Sequence, residues 1–139
     1  MHSRISTLTL LLRYIEPVLN PGTYAFVSVP NEETLASVKV IASIREPEGI
    51  SVVIAESDAV SLNLTILFRA AWITLTVNSE LQAVVFTAAF ASALAQAGIS
   101  CNVVAGAQHD HILIPVERAA ETMAVLKQLQ SAAKATSAT

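Results

Sequence analysis

Between Ala71 and Val116 the spacing of apolar residues changes period twice, and few folds accommodate that order. Residues 71–77 alternate, with Trp72, Thr74 and Thr76 on one side and Ala71, Ile73, Leu75 and Val77 on the other, as a half-buried strand requires. Asn78-Ser79 ends the strand. Ser79 and Gln82 have the spacing of a capping box, in which each side chain accepts or donates at the other's backbone. The helix this opens is predicted to run to about Ala97, with Gly98 as the residue just beyond its end. Leu81, Val84, Val85, Ala88, Ala91 and Ala95 form one apolar row, and Phe86, Phe90 and Leu94 form a second. One side covers the sheet, and the other needs a second partner, in this chain or in another subunit. A strand over residues 99–105, a turn at Gly106–Gln108 and a strand over 109–116 form a hairpin. Glu117 opens a last helix with Ala120, Met123, Leu126 and Gln130 at helical spacing. The order is β-α-β-β-α, most of a split βαβ unit.

Composition narrows the class. Hydrophobic residues make up 53% of the 139 positions and charged residues 14%, which builds a large core and leaves apolar surface for a second copy to cover. A homodimer or higher homo-oligomer is expected. The net charge of −3 offers no footprint for nucleic acid. Arg13 and Glu16 interrupt the first apolar run, so neither a membrane span nor a secretory leader is expected. A single cysteine excludes an internal disulfide and fits a cytoplasmic location.

The N-terminal half follows similar grammar. Leu8, Leu11, Leu12 and Ile15 make a helical stripe that Pro17 ends, and Pro21-Gly22 is a turn. Residues 24–29 read as a strand, 38–44 as a second, Glu46–Gly49 as a turn and 50–55 as the returning strand. Ser57 is placed to cap a short helix to about Leu62, with a strand near residues 66–68. The chain divides into two halves of like architecture, 1–66 and 67–139, with no Gly/Ser-rich linker between them.

These segments resemble the ACT domain. The resemblance is carried by Ile73–Val77, Leu81–Val84, Thr87–Phe90, Ala97–Val103 and His109–Ile112, and extends to Pro17–Tyr24 and Arg45–Gly49. The chain is similar to stand-alone bacterial tandem ACT-like proteins without an assigned activity. The resemblance implies an α+β fold of ferredoxin-like (βαββαβ) units in tandem, with antiparallel sheets and helices packed on one face. It also implies a regulatory role, with an amino acid bound at an interface between units. Carried onto this chain, the contacts are Asn78, Ser79 and Glu80 at the helix entrance and Ser100, Cys101, Asn102 and Val103 on the next strand. A helix N-terminus there offers unpaired N–H groups to a carboxylate. One departure stands out: ACT domains commonly carry a Pro-Gly pair at this entrance, and here the loop reads Asn78-Ser79-Glu80-Leu81.

Other candidates weigh less. His109 and His111 alternate, so both rings share a face and could hold a metal only with a third ligand. Cys101, paired near Leu113 by the expected turn, lies too far along the hairpin to supply it. The plainer reading is that the His-Asp-His segment organises the hairpin or an interface. Cys101 reads as a small buried residue and lacks the base that a nucleophile needs. Arg45, Glu46 and Glu48 read as a solvated turn, and Arg69 as a partner for a carboxylate of the protein or of a ligand. No cofactor motif is present. Three functions stay open: a non-enzymatic regulatory or small-molecule-binding protein, an interaction module with no ligand, and an enzyme or metal protein using His109, Asp110 and His111.

Overall fold

A computed structural model describes residues 7–76 and 83–136. The elements run α1 (Thr7–Arg13), β1 (Pro17–Leu19), β2 (Tyr24–Val29), a 3-10 helix (Glu32–Leu35), β3 (Ala42–Glu46), β4 (Gly49–Ala55), α2 (Glu56–Ser61), β5 (Phe68–Leu75), α3 (Ala83–Gln96), β6 (Asn102–Ala105), β7 (Asp110–Pro115), a second 3-10 helix (Val116–Arg118) and α4 (Ala119–Ala135). They form two compact units. Unit 1 contains the described residues of Met1–Asn20 and Trp72–Thr139; unit 2 is Pro21–Ala71. Residues 7–20 thus precede unit 2 in the chain and belong to unit 1 in space.

In unit 2 the sheet order is β3-β4-β2-β5. Alternation in β2 buries Ala25, Val27 and Val29, and β4 adds Ile50, Val52 and Ile54. With Ala59 of α2 these form one core, around which Leu35, Val38, Leu64 and Ile66 are partly buried. On the other face Phe26 meets Phe68 edge to face, with ring centroids 5.5 Å apart. The turn expected at Glu46–Gly49 is present, with Glu46 paired to Gly49 around Pro47-Glu48; the strand expected over 38–44 lies instead at Ala42–Glu46. Gly49 has φ +150, and a Cβ there would stand 2.6 Å from the Val29 carbonyl oxygen. Ser57 does not cap α2. The cap position lies two residues earlier, at Ala55, with no side-chain cap bond.

Two strands expected near 66–68 and 71–77 are one, β5. The small residues Ala70 and Ala71 are buried without interrupting it. Val77 lies outside the described residues, as do Leu81 and the Ser79–Gln82 capping pair.

In unit 1 the order is β1-β5-β7-β6. Counting unit 2 from β2, and unit 1 from β5 with β1 as its fourth strand, both units show the spatial order fourth, first, third, second, the ferredoxin-like arrangement. The last strand position of unit 1 is filled by β1, which pairs antiparallel with β5 from Pro17↔Leu75 to Leu19↔Ile73. Unit 1's core joins Ile73, Leu75, Ile112 and Ile114 of the sheet to Phe86, Phe90, Leu94 and Leu126 of the helices, all essentially inaccessible. Of the two apolar rows of α3, the one that covers the sheet is therefore the bulkier one. Phe86, Phe90 and Leu94 face the core, whereas Val85, Ala88 and Ala95 are exposed. Both rows are apolar, and burial goes to the row with more area to remove from water. Gly98, at φ +73, ends α3 as expected: Gly98 N donates to Ala95 O and Ile99 N to Leu94 O, the paired bonds of a Schellman motif. Arg118 closes the same end, donating to the carbonyls of Ala97 and Gly98 at 3.0 and 3.2 Å. Gln130, buried on α4, donates to Arg13 O and Glu16 Oε1, both at 2.8 Å, and Arg13 Nε donates to Ala133 O at 3.0 Å.

Candidate functional site

The helix entrance cannot be described. Asn78, Ser79 and Glu80 lie outside the described residues. Their expected companions are on or beside β6, an edge strand of unit 1. Ser100, Asn102 and Val103 are exposed and Cys101 is half-buried. Burial pushes the Cys101 thiol up to about 11, so at neutral pH it is protonated and inert, as a small packed residue would be.

The hairpin register differs from expectation by one residue. Asn102, not Cys101, pairs with Leu113, Val104 pairs with His111 and Ala105 with Asp110. The connection takes in His109 as well as Gly106–Gln108, and Gly106 N donates to His109 O at 2.9 Å. A shift of one residue exchanges faces. Asn102 and Val104 share the histidines' side, and Cys101 lies on the opposite one.

On the histidines' side a polar network has formed that sequence reading had only in pieces. Trp72 Nε1 donates to His111 Nδ1 at 3.0 Å, and Thr74 Oγ1 stands 3.1 Å from the same nitrogen. Asn20 Nδ2 donates to Thr74 Oγ1 at 2.9 Å and to the Trp72 carbonyl at 3.2 Å, and Asn20 N donates to that carbonyl at 2.9 Å. The indole and imidazole rings lie 5.7 Å apart. An indole N–H can only donate, so His111 Nδ1 carries a lone pair and the ring proton sits on Nε2. His109 shows the reverse. Its Nδ1 is 3.1 Å from the Thr76 carbonyl, an acceptor, so Nδ1 carries the proton. Desolvation lowers the His111 pKa; the nearby His109 acts in the same direction and Asp110 in the opposite one. Desolvation raises the Asp110 pKa, opposed by His111. With Nδ1 occupied and Nε2 protonated, His111 has no lone pair for a metal. Among the described residues no three His, Cys, Asp or Glu side chains are grouped to hold an ion. The signals for this network were present: period-2 alternation placed Trp72, Thr74 and Thr76 together and His109 and His111 together. The adjacency of β5 and β7, and Asn20, were the missing parts.

Unit 2 holds an open cleft of about 520 Å³ between Pro30–Glu33 and Arg45–Ile50. Asn31 Oδ1 accepts from Glu33 N at 3.1 Å at its edge. Arg45 pairs with Glu32, and Ser51 Oγ donates to Glu46, so these groups answer one another at the surface. Arg69 has its carboxylate within the unit. It forms a two-point pair with Glu56, the second contact at 3.3 Å, which holds the Glu56 pKa below its ordinary value.

Two ferredoxin-like α+β units, with helices over a sheet and a polar sheet face, define the class. Models of the ACT domain match residues 3–71 and again residues 68–128. The chain belongs to the ACT domain family and carries two such domains in tandem. A Vibrio cholerae protein of unknown function, described as a possible transport protein, is 41% identical, with a TM-score of 0.81 over 89% of this chain and 96% of that one. An Agrobacterium tumefaciens protein is similar at TM-score 0.64 and 14% identity, over 82% of this chain and 87% of its own. The ligand-free regulatory subunit of aspartate kinase from Thermus thermophilus is similar at TM-score 0.61 and 12% identity, over 81% and 96%. At those identities the last two speak to fold alone. No curated protein matches the chain.

Proposed function

We propose that this chain is a non-enzymatic regulatory protein that binds an amino acid. The observation that carries the reading is the pair of ACT-domain matches along the chain, 3–71 and 68–128. In this reading the ligand carboxylate takes backbone N–H groups at the Ser79 helix entrance, where the helix dipole favours an anion. Asn78 and Glu80 flank it, and Ser100, Cys101, Asn102 and Val103 contribute the facing strand. Support comes from the exposure of Ser100, Asn102 and Val103 and from the protonated Cys101, which suits a packing role and not a nucleophile's. The ligand acts by linkage, favouring whichever packing of the assembly binds it better. A homodimer or larger homo-oligomer belongs to the same reading. Val85, Val103 and Val104 are exposed at 45%, 38% and 39%, the last two on an edge strand without charge or proline to protect it. That edge also favours a second reading, an interaction module with no small ligand. A thermal-shift screen of the twenty amino acids separates the two. A ligand of the native state raises Tm with concentration, whereas an interaction module responds to none of the twenty.

A further inference from the structure

We propose that His111 is a pH-sensitive clasp within unit 1, closed when its imidazole is neutral and opened at the Trp72 contact when Nδ1 takes a proton from solvent. The argument is geometric. Nδ1 receives the Trp72 N–H at 3.0 Å and faces the Thr74 hydroxyl at 3.1 Å. Protonation turns that acceptor into a donor. Thr74 Oγ1 can then accept from it, but the indole N–H cannot, because two donors would face each other. The Trp72 hydrogen bond is lost and the indole must shift.

The place gives this consequence. Unit 1 is interrupted after Asn20 and resumes at Trp72, so these residues are where the chain leaves and re-enters it. Asn20 grips that junction with three bonds, two to the Trp72 carbonyl and one to Thr74. Thr74 in turn meets His111, so one imidazole secures both the exit and the return. Among the described residues, the ionisable groups that act on His111 belong to its own strand and turn: His109, whose ring centroid is 6.5 Å away, and Asp110. β5 presents Trp72 and Thr74, β6 presents the register partner Val104, and Asn20, just after β1, completes the set; none of these titrates. The ring sits close over Gly106, where a Cβ would stand 3.2 Å from Nε2, so any larger residue at that position would press on the imidazole.

The test uses the intact chain, whose only tryptophan is Trp72. Its fluorescence is followed from pH 8 to pH 4 alongside far-ultraviolet circular dichroism. The expected result is a change in emission with one midpoint below 6.5, the ordinary histidine value, at constant secondary structure. His111→Gln, whose amide oxygen can still accept from Trp72 but does not titrate, should abolish the change. His109→Gln should move the midpoint upward by removing an opposing charge. A transition that persists in His111→Gln, or none in the parent chain, overturns the proposal. Should His111→Gln fail to fold, the ring nitrogens of the parent protein decide by NMR at pH 8: a proton on Nε2 supports the clasp, and one on Nδ1 refutes it.

Discussion

The two units solve one problem differently at the same point of the fold. Between its first and second strands unit 1 places α3, of 14 residues, which delivers Phe86, Phe90 and Leu94 to the core. Unit 2 has only the four-residue 3-10 helix Glu32–Leu35, none of whose residues is buried. Its core is built from alternating strand residues and closed by half-buried side chains such as Leu35 and Val38. A ferredoxin-like unit therefore tolerates a much reduced first helix when strand aliphatics carry the burial. Where the helix is present, it carries the largest side chains.

That contrast predicts a graded response to truncation. Phe90→Ala should cost about 3–5 kcal/mol in urea melts, the range for removing a fully buried aromatic side chain. Leu35→Ala, at a partly buried position, should cost less than about 2 kcal/mol, because less area returns to water. Equal losses would erase the distinction. Next come two of the three glycines with positive φ. Gly49→Ala meets the Val29 carbonyl at 2.6 Å as well as an unfavourable φ, so it should lose more than the roughly 1 kcal/mol typical of a strained alanine. Gly98→Ala, with nothing within 4 Å, should lose about that amount and no more. A larger loss at Gly98 would mean that the end of α3 has less space than the geometry shows.

The histidine network adds a pH dependence to unit 1. Because the folded pKa of His111 is lowered, the unfolded chain binds the extra proton first. The contribution is full above about 6.5 and is lost as the pH falls toward the folded value. A separate effect, on reactivity and not on stability, concerns Cys101. Raising its pKa from 9.0 to about 11 cuts the thiolate fraction at pH 7–8 by about 100-fold, so a thiol reagent should react that much more slowly than with the unfolded chain. Matching rates would place the thiol in water.

Local signals were legible in the sequence, and long-range ones were not. Gly98 announced the Schellman end of α3 because that motif is set by a few adjacent residues. Strand β2 and the shared face of His109 and His111 followed from alternation alone. β1 escaped notice because three residues after Glu16, which has positive φ, show no period, and only pairing with β5 defines them. The β6–β7 register slipped by one because loop length cannot be read from Gly106-Ala107-Gln108 without the bond to His109 O. Which row of α3 covers the sheet stayed open because periodicity cannot choose between two apolar faces. Arg69 was left with two possible partners until the fold brought Glu56 to it.

The central claim, that an amino acid binds at the ACT-type entrance, is tested most directly by calorimetry with the amino acid that raises Tm, on the parent protein and two variants. Asn78→Ala should weaken binding by about 1–2 kcal/mol, the cost of one hydrogen bond to a charged group. His109→Ala should leave affinity nearly unchanged. Loss of binding in His109→Ala with Asn78→Ala unaffected, or no heat from any of the twenty amino acids, would contradict the account.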